Sequence, residues 1–179
     1  MTDRGQRVRL RPLQPQDLDH IVRWTNDPEI RELLEGEYPE EPDEGRLWYQ
    51  RACSDRRSRQ FIIEAQDGTA IGDIALGEIS WRAREGELRI RIGEKAYWDQ
   101  GYGTEAVRAL LAYAFEELGF RRVYLRVFTS NRRAIRCYVK SGFLPEGRLV
   151  RKASDGMPKE ILLMTARPDS RGHRLPQTS

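Results

Sequence analysis

From Glu87 to Ile92 the chain reads Glu-Leu-Arg-Ile-Arg-Ile. The alternation predicts a strand with Leu88, Ile90 and Ile92 on an apolar face and Glu87, Arg89 and Arg91 on a polar one. Between Gly103 and Leu118 the period changes. Val107, Leu110, Leu111, Ala114, Phe115 and Leu118 step by three and four, which predicts an amphipathic helix stopped by Gly119. Alternation returns at 121–129, with Val123, Leu125 and Val127 on one side. A strand, a helix and a strand in this order form a crossover, which pairs the two strands in parallel.

Around this unit the signals are those of hairpins. Asp67-Gly68 separates two apolar runs, a second turn is expected near Glu85-Gly86, and Asp155-Gly156 sits in a closing hairpin loop. An opening strand is expected at 7–13. A helix carrying Leu18, Ile21 and Val22 follows and is ended or bent at Asp27-Pro28. Pro39 and Pro42 split the next segment, in which an acidic loop from Glu37 to Glu44 leads into a short helix bearing Leu47 and Trp48. Another short helix starts near Ser130 or Asn131 and stops at Gly142. The expected fold is a mixed, mainly antiparallel sheet with helices packed against it.

Length and composition narrow this reading. The 179 residues suit one domain, placed at 1–168, followed by a polar tail at 169–179 expected to be disordered. The net charge of +3 is compatible with an anionic ligand but does not argue for nucleic acid. Two isolated cysteines, Cys53 and Cys137, offer neither a metal site nor a disulfide framework, so a reducing cytoplasm is expected. No signal-peptide core and no membrane span is read.

The chemistry concentrates in "YWDQGYGTEA" (97–106), where Gly101-x-Gly103-x-x-Ala106 precedes the predicted helix. This spacing fits a loose dinucleotide fingerprint, and Arg121 and Arg122 stand about 20 positions on, where an NADP site would place a basic residue. The single crossover weighs against that fold, and no GxxxxGK[ST] loop is present. A purely structural turn is the plain alternative. Another phosphate loop also fits. In it, backbone N–H groups of Gln100, Gly101, Tyr102, Gly103 and Thr104 converge with the helix N-terminus on the pyrophosphate of coenzyme A.

Residues 87–143, and "YWDQGYGTEAVRALLAYAFEELGFRRVYLRVFTSNRRAIRCYVKSGF" above all, resemble the core of the GNAT superfamily of acetyl-CoA-dependent N-acetyltransferases. Three motifs in order carry the likeness: the Gln-x-Tyr-Gly-Thr-Glu-Ala loop and helix, the strand ending in Thr-Ser-Asn, and Ala-Ile-Arg-Cys-Tyr-x-Lys-x-Gly-Phe. Trp98, "RWTNDPEI" (23–30) and "GFLPEGRLVRK" further resemble the branch that acetylates ribosomal-protein N-termini. The resemblance implies a sheet of about seven strands with about four helices. It implies direct acetyl transfer to a primary amine without an acyl-enzyme, no metal, and a possible homodimer.

On the same basis Tyr138 is the expected general acid for the departing thiolate, although Ile135, Tyr138 and Val139 equally read as a packed helical face. Glu87 is the candidate base, directly or through water, with Glu78 as a second possibility. Ile90, Arg91 and Ile92 are expected beside the pantetheine arm, Gln100, Gly101, Tyr102, Gly103 and Thr104 at the pyrophosphate, and Trp98 at the cofactor. Asn131 reads either as a pantetheine contact or as a helix N-cap. Arg133, Arg136 and Lys140 could approach the nucleotide phosphate, whereas Cys137 is read as packing. The acceptor stays open between a protein N-terminal amine and a small-molecule amine such as a polyamine or an aminoglycoside. The aromatics Trp24, Tyr38, Trp48 and Tyr49, and acidic residues of 35–44, are its candidate surroundings. A non-catalytic acyl-CoA sensor is the reading from another class.

Overall fold

The computed structural model describes residues 6–33, 38–152 and 156–168. The alternating segments become β1 (Val8–Pro12), β2 (Arg59–Ala65), β3 (Ala70–Ser80), β4 (Glu85–Ile92), β5 (Arg122–Phe128), β6 (Leu144–Lys152) and β7 (Pro158–Ala166). They form one seven-stranded sheet in the order β1-β2-β3-β4-β5-β7-β6. All neighbours are antiparallel except β4 and β5. The helices are α1 (Leu18–Thr25), α2 (Pro28–Arg31), α3 (Pro42–Ser54), α4 (Tyr102–Ala112) and α5 (Arg132–Lys140). Among the described residues no helix is long and apolar enough to cross a membrane.

Each face of the sheet has its own core. On one, Ala106, Val107, Leu110 and Leu111 of α4 pack on Ile74, Leu76, Leu88, Val123 and Leu125, all almost fully enclosed. Each large aliphatic side chain buried in this way contributes about 1.5–3 kcal/mol. On the other face α1, α2 and α3 cover β1 to β4 through Ile21, Trp24, Ile30 and Ile62. Gly93 lets Trp24 lie against the end of β4, since a Cβ there would come within 2.1 Å of the indole.

Several expectations need correction. The first helix does end before Asp27-Pro28, as α1 at Thr25, but the same dipeptide also opens a further helix, α2: the Asp27 carboxylate accepts N–H bonds from Glu29 and Ile30, and proline suits the first helical position. The same logic starts α3 at Pro42, so Asp43 and Glu44 fall in its first turn, where acidic side chains favour the helix dipole. The described residues thus hold five α-helices, in line with the about four expected. The turn expected at Glu85-Gly86 lies at 81–84, and Glu85 already pairs with Ser80 and Arg122. Gly86 is a packing glycine, its missing Cβ falling 3.1 Å from the Phe120 ring. The helix expected to run to Leu118 widens into a π turn at Tyr113–Glu117. Glu35, Glu37, Asp155 and the tail 169–179 lie outside the described residues.

Candidate active site

The parallel ladder between β4 and β5 is short. It pairs Glu85 with Arg122, Gly86 with Val123 and Glu87 with Tyr124, and beyond Glu87 the strands part. A cavity of about 460 Å³ opens in the gap, walled by β4, β5, α5 and the loop before α4. Of the residues singled out from sequence, Tyr138, Glu87, Ile90, Arg91, Ile92, Trp98, Gly101, Tyr102, Gly103, Thr104 and Asn131 all line it. Gln100 does not. Its side chain bonds the Ala96 carbonyl, and its own carbonyl accepts from Arg7 at 2.7 Å. Glu78 is also elsewhere, exposed on the bulge of β3 beside Arg57.

Beyond Glu87 the edge of β4 no longer pairs with β5. The Trp98 indole N–H donates to the Ile92 carbonyl at 2.8 Å, which marks the Ile92 peptide as facing the gap. Alternation along a strand turns the peptide groups of Leu88 and Ile90 the same way. At the far end Gly101 holds φ +87°, a left-handed conformation that favours glycine, and α4 starts immediately after it. The first N–H groups of a helix have no partner within it, so this end offers donors and a positive dipole to an anion. Arg133, Arg136 and Lys140 line the same cavity. Arg133 stacks 4.0 Å over Trp98 and pairs with Asp99 at 3.0 Å. Arg7 braces the loop from the other side, bonding Glu105 at 3.2 Å and lying 4.3 Å over the Tyr102 ring. An open strand edge leading to a cationic helix start fits an amide-bearing arm ending in a pyrophosphate.

The opposite end holds the charges that the alternation placed on a polar face. That face is not solvated. Glu87 is 3% exposed and Arg91 5%, more enclosed than Ile90 and Ile92, which border the cavity. Glu87 receives two bonds from Arg126, at 2.8 and 3.2 Å, and a longer one from Arg89 at 3.5 Å. Arg91 donates to Asp73 at 2.7 Å and to the Thr25 hydroxyl at 2.9 Å, while its Nη2 has no hydrogen-bond partner among the described residues. The Tyr38 ring covers this guanidinium at 4.1 Å. Burial pushes the Tyr38 phenol well above its usual range, with the Asp73 carboxylate adding to the effect.

Tyr138, on α5, is nearly enclosed and meets Phe143 edge-on at 5.8 Å, so its ring packs in the core while the residue borders the cavity. Asn131 is the N-cap of α5, its Oδ1 accepting the Ala134 N–H at 3.2 Å, and the residue also lines the cavity. Burial pushes the Cys137 thiol up, away from nucleophilic thiolate, in keeping with a packing role. Sequence reasoning missed Arg126 and Arg7. The alternation of β5 carries a signal for the first, because Arg126 sits two residues from Tyr124, the register partner of Glu87.

The family model described as an acetyltransferase (GNAT) domain matches residues 7–144. The spermidine N(1)-acetyltransferase of Escherichia coli (strain K12) is 32% identical over 147 residues, covering 80% of this chain and 76% of that protein. The crystal structure of the Vibrio cholerae spermidine N-acetyltransferase in complex with CoA and spermine superposes with a TM-score of 0.85. It is 27% identical and the match covers 93% of this chain and 98% of that one. A dodecameric structure of the Vibrio cholerae enzyme gives a TM-score of 0.81 at 26% identity, covering 96% and 99% of the two chains. The expected likeness to ribosomal-protein N-terminal acetyltransferases is not supported by these relatives, which are spermidine enzymes. Trp98, which suggested that branch, serves the shape of the loop by holding the Ile92 carbonyl and seating Arg133.

Proposed function

The chain belongs to the GNAT acetyltransferases and moves an acetyl group from acetyl-CoA to an amine nitrogen, and from that premise we propose that its acceptor is a small-molecule polyamine. The observation that carries the reading is the likeness to spermidine acetyltransferases across about four-fifths of the chain. Local charge supports it. Ile30, Leu33 and Tyr38 line the cavity, and the segments that carry them present Glu29, Glu32, Glu40, Glu41, Asp43 and Glu44 to solvent. Exposed carboxylates at the mouth raise the local concentration of a polycation.

Acetyl-CoA supplies the activated acetyl thioester. The open edge of β4 and the Asn131 amide hold its arm, and the N–H groups at the start of α4 hold its pyrophosphate, with Arg133, Arg136 and Lys140 nearby. Glu87, fixed by Arg126 at the point where the strands part, holds the incoming amine as an ammonium and takes its proton through water. Tyr138 gives a proton to the departing thiolate. Holding both reactants in one narrow gap supplies much of the rate.

The same reading places the enzyme in the cytoplasm, where Cys53 and Cys137 remain free thiols. It also makes the enzyme a homo-oligomer: β6 ends the sheet with an unpaired edge and exposed Leu144, Leu149 and Val150, and a relative is dodecameric. The test is thiol release from acetyl-CoA with spermidine, spermine, an aminoglycoside and a peptide with a free N-terminus. Turnover confined to the polyamines is expected. Turnover of the peptide alone would refute the proposal.

A further inference from the structure

A second cavity, of about 400 Å³, lies between α3 and the sheet, with Trp48, Arg51, Asp55, Ser58 and Gln60 in its lining. Tyr38 and Arg89 line both cavities and therefore form the wall between them. The charge on this wall is not balanced. Arg126 is matched by Glu87, and Arg91 by Asp73, through short bonds. Arg89 reaches Glu87 only at 3.5 Å, at a carboxylate that Arg126 already engages twice. Its guanidinium lies over Gly77, where a Cβ would stand 3.7 Å from Cζ, so the absence of a side chain there gives it room. Arg51, across the second cavity, forms no ion pair among the described residues. One Asp55 oxygen accepts the Arg57 N–H at 2.8 Å. The lining thus carries two guanidiniums, Arg51 and Arg89, against one partly engaged carboxylate, together with Ser58 and with Gln60, whose amide N–H already donates to Asp73 at 3.1 Å, a set whose excess of positive charge favours an oxyanion.

We propose that this second cavity binds a carboxylate or phosphate group between Arg51 and Arg89, and that its occupancy promotes binding of the cationic acceptor next door. The regulatory half rests on the polyamine reading given above. Arg89, held to Glu87 only by this long bond, repels an ammonium approaching Glu87, and an anion behind it cancels that repulsion. Arg89 is about one-third exposed, so water and salt already weaken the effect. The expected change is therefore modest, about fivefold in KM for the amine.

The experiment uses the full chain with acetate or inorganic phosphate, each compared with chloride at equal ionic strength. Calorimetry measures anion binding without acetyl-CoA, and initial rates give KM for spermidine. A saturable heat and a KM for spermidine lowered about fivefold at unchanged kcat are expected. In Arg51→Ala, an exposed helix substitution whose folding a thermal melt verifies, both the heat and the KM response disappear. Arg89→Gln lowers KM in chloride and abolishes the response. Phosphate also meets the α4 loop, so a phosphate effect seen only on KM for acetyl-CoA, with no acetate effect, refutes the site. An equal response in the parent and Arg51→Ala refutes it too. If spermidine is not turned over in any salt while Arg51→Ala abolishes the anion heat, the site stands and the polyamine reading fails.

Discussion

Replacing Tyr138 by Phe removes one oxygen and leaves the ring in place. The ring is 6% exposed and packs on Phe143, so the variant keeps the apolar contacts that seat α5. Loss of one hydroxyl interaction costs about 0.5–1.5 kcal/mol of stability. The catalytic effect is expected to be far larger. Positioned proton transfer contributes about 10²–10⁴ in rate, so kcat should fall at least about 100-fold, equivalent to about 2.7 kcal/mol of barrier. The groups assigned to acetyl-CoA lie on β4, the α4 loop and the start of α5, and none is altered. The dissociation constant for CoA, measured by calorimetry, should therefore stay within about twofold, while thiol release measured with a disulfide dye shows the loss in kcat. Tyr38→Phe is the control: it also removes a phenol from the cavity lining, and kcat should drop less than about tenfold, below the range of general acid catalysis. A Tyr138→Phe enzyme with kcat near the parent's, or one whose CoA affinity falls as much as its rate, would refute the assignment.

Three further outcomes follow from the geometry. Gly101→Ala forces a side chain to φ +87°, so KM for acetyl-CoA should rise and stability should fall by about 1–2 kcal/mol; an unchanged KM in steady-state kinetics would separate that loop from the cofactor. Asp73→Asn leaves Arg91 buried without its counter-charge and should cost about 3–5 kcal/mol in urea unfolding, whereas a loss below about 1 kcal/mol would mean that the Tyr38 ring and Thr25 suffice. The bond from Arg23 holds the Glu94 carboxyl below the usual range, and the Trp24 indole N–H adds to it. This contribution is present above the unfolded value of about 4.3 and is lost as pH falls through the lower folded value. Melting temperature should thus decline below about pH 4.3 in the parent and less steeply in Glu94→Gln, and parallel slopes would exclude Glu94.

What could be read from sequence, and what could not, divides by distance along the chain. The turn before α4 was legible because its signals are local: glycines, helix start and apolar stripe lie within about four turns of one another. The period of β4 was legible for the same reason. Its environment was not, because polarity states what a side chain is and not what answers it. Glu87 is answered by Arg126, 39 positions on, and Arg91 by Asp73, 18 positions back. Those partners turn an apparently solvated face into a buried one. The short helix α2 was missed and the start of α3 was placed late, because prolines there read as breakers, although proline suits both an end and a beginning.

These hidden pairs also explain the shape of the site. Parallel strands stay together only while ladder bonds and side chains hold them, and here the ladder ends at Glu87 and Tyr124. The Glu87–Arg126 bridge ties β4 to β5 at that last rung and fixes where parting begins. Past it, Ile92 turns its carbonyl to Trp98 instead of to β5, so the gap is kept open by a bond of its own. A strand edge left unpaired in the middle of a sheet would ordinarily be unfavourable. It is tolerable where a ligand carrying amide groups completes the ladder, and the arm of acetyl-CoA has that chemistry. Weakening the bridge with Arg126→Gln should therefore shift the parting point and lower the rate of thiol release from acetyl-CoA, and an unchanged rate would mean that the bridge does not set the gap.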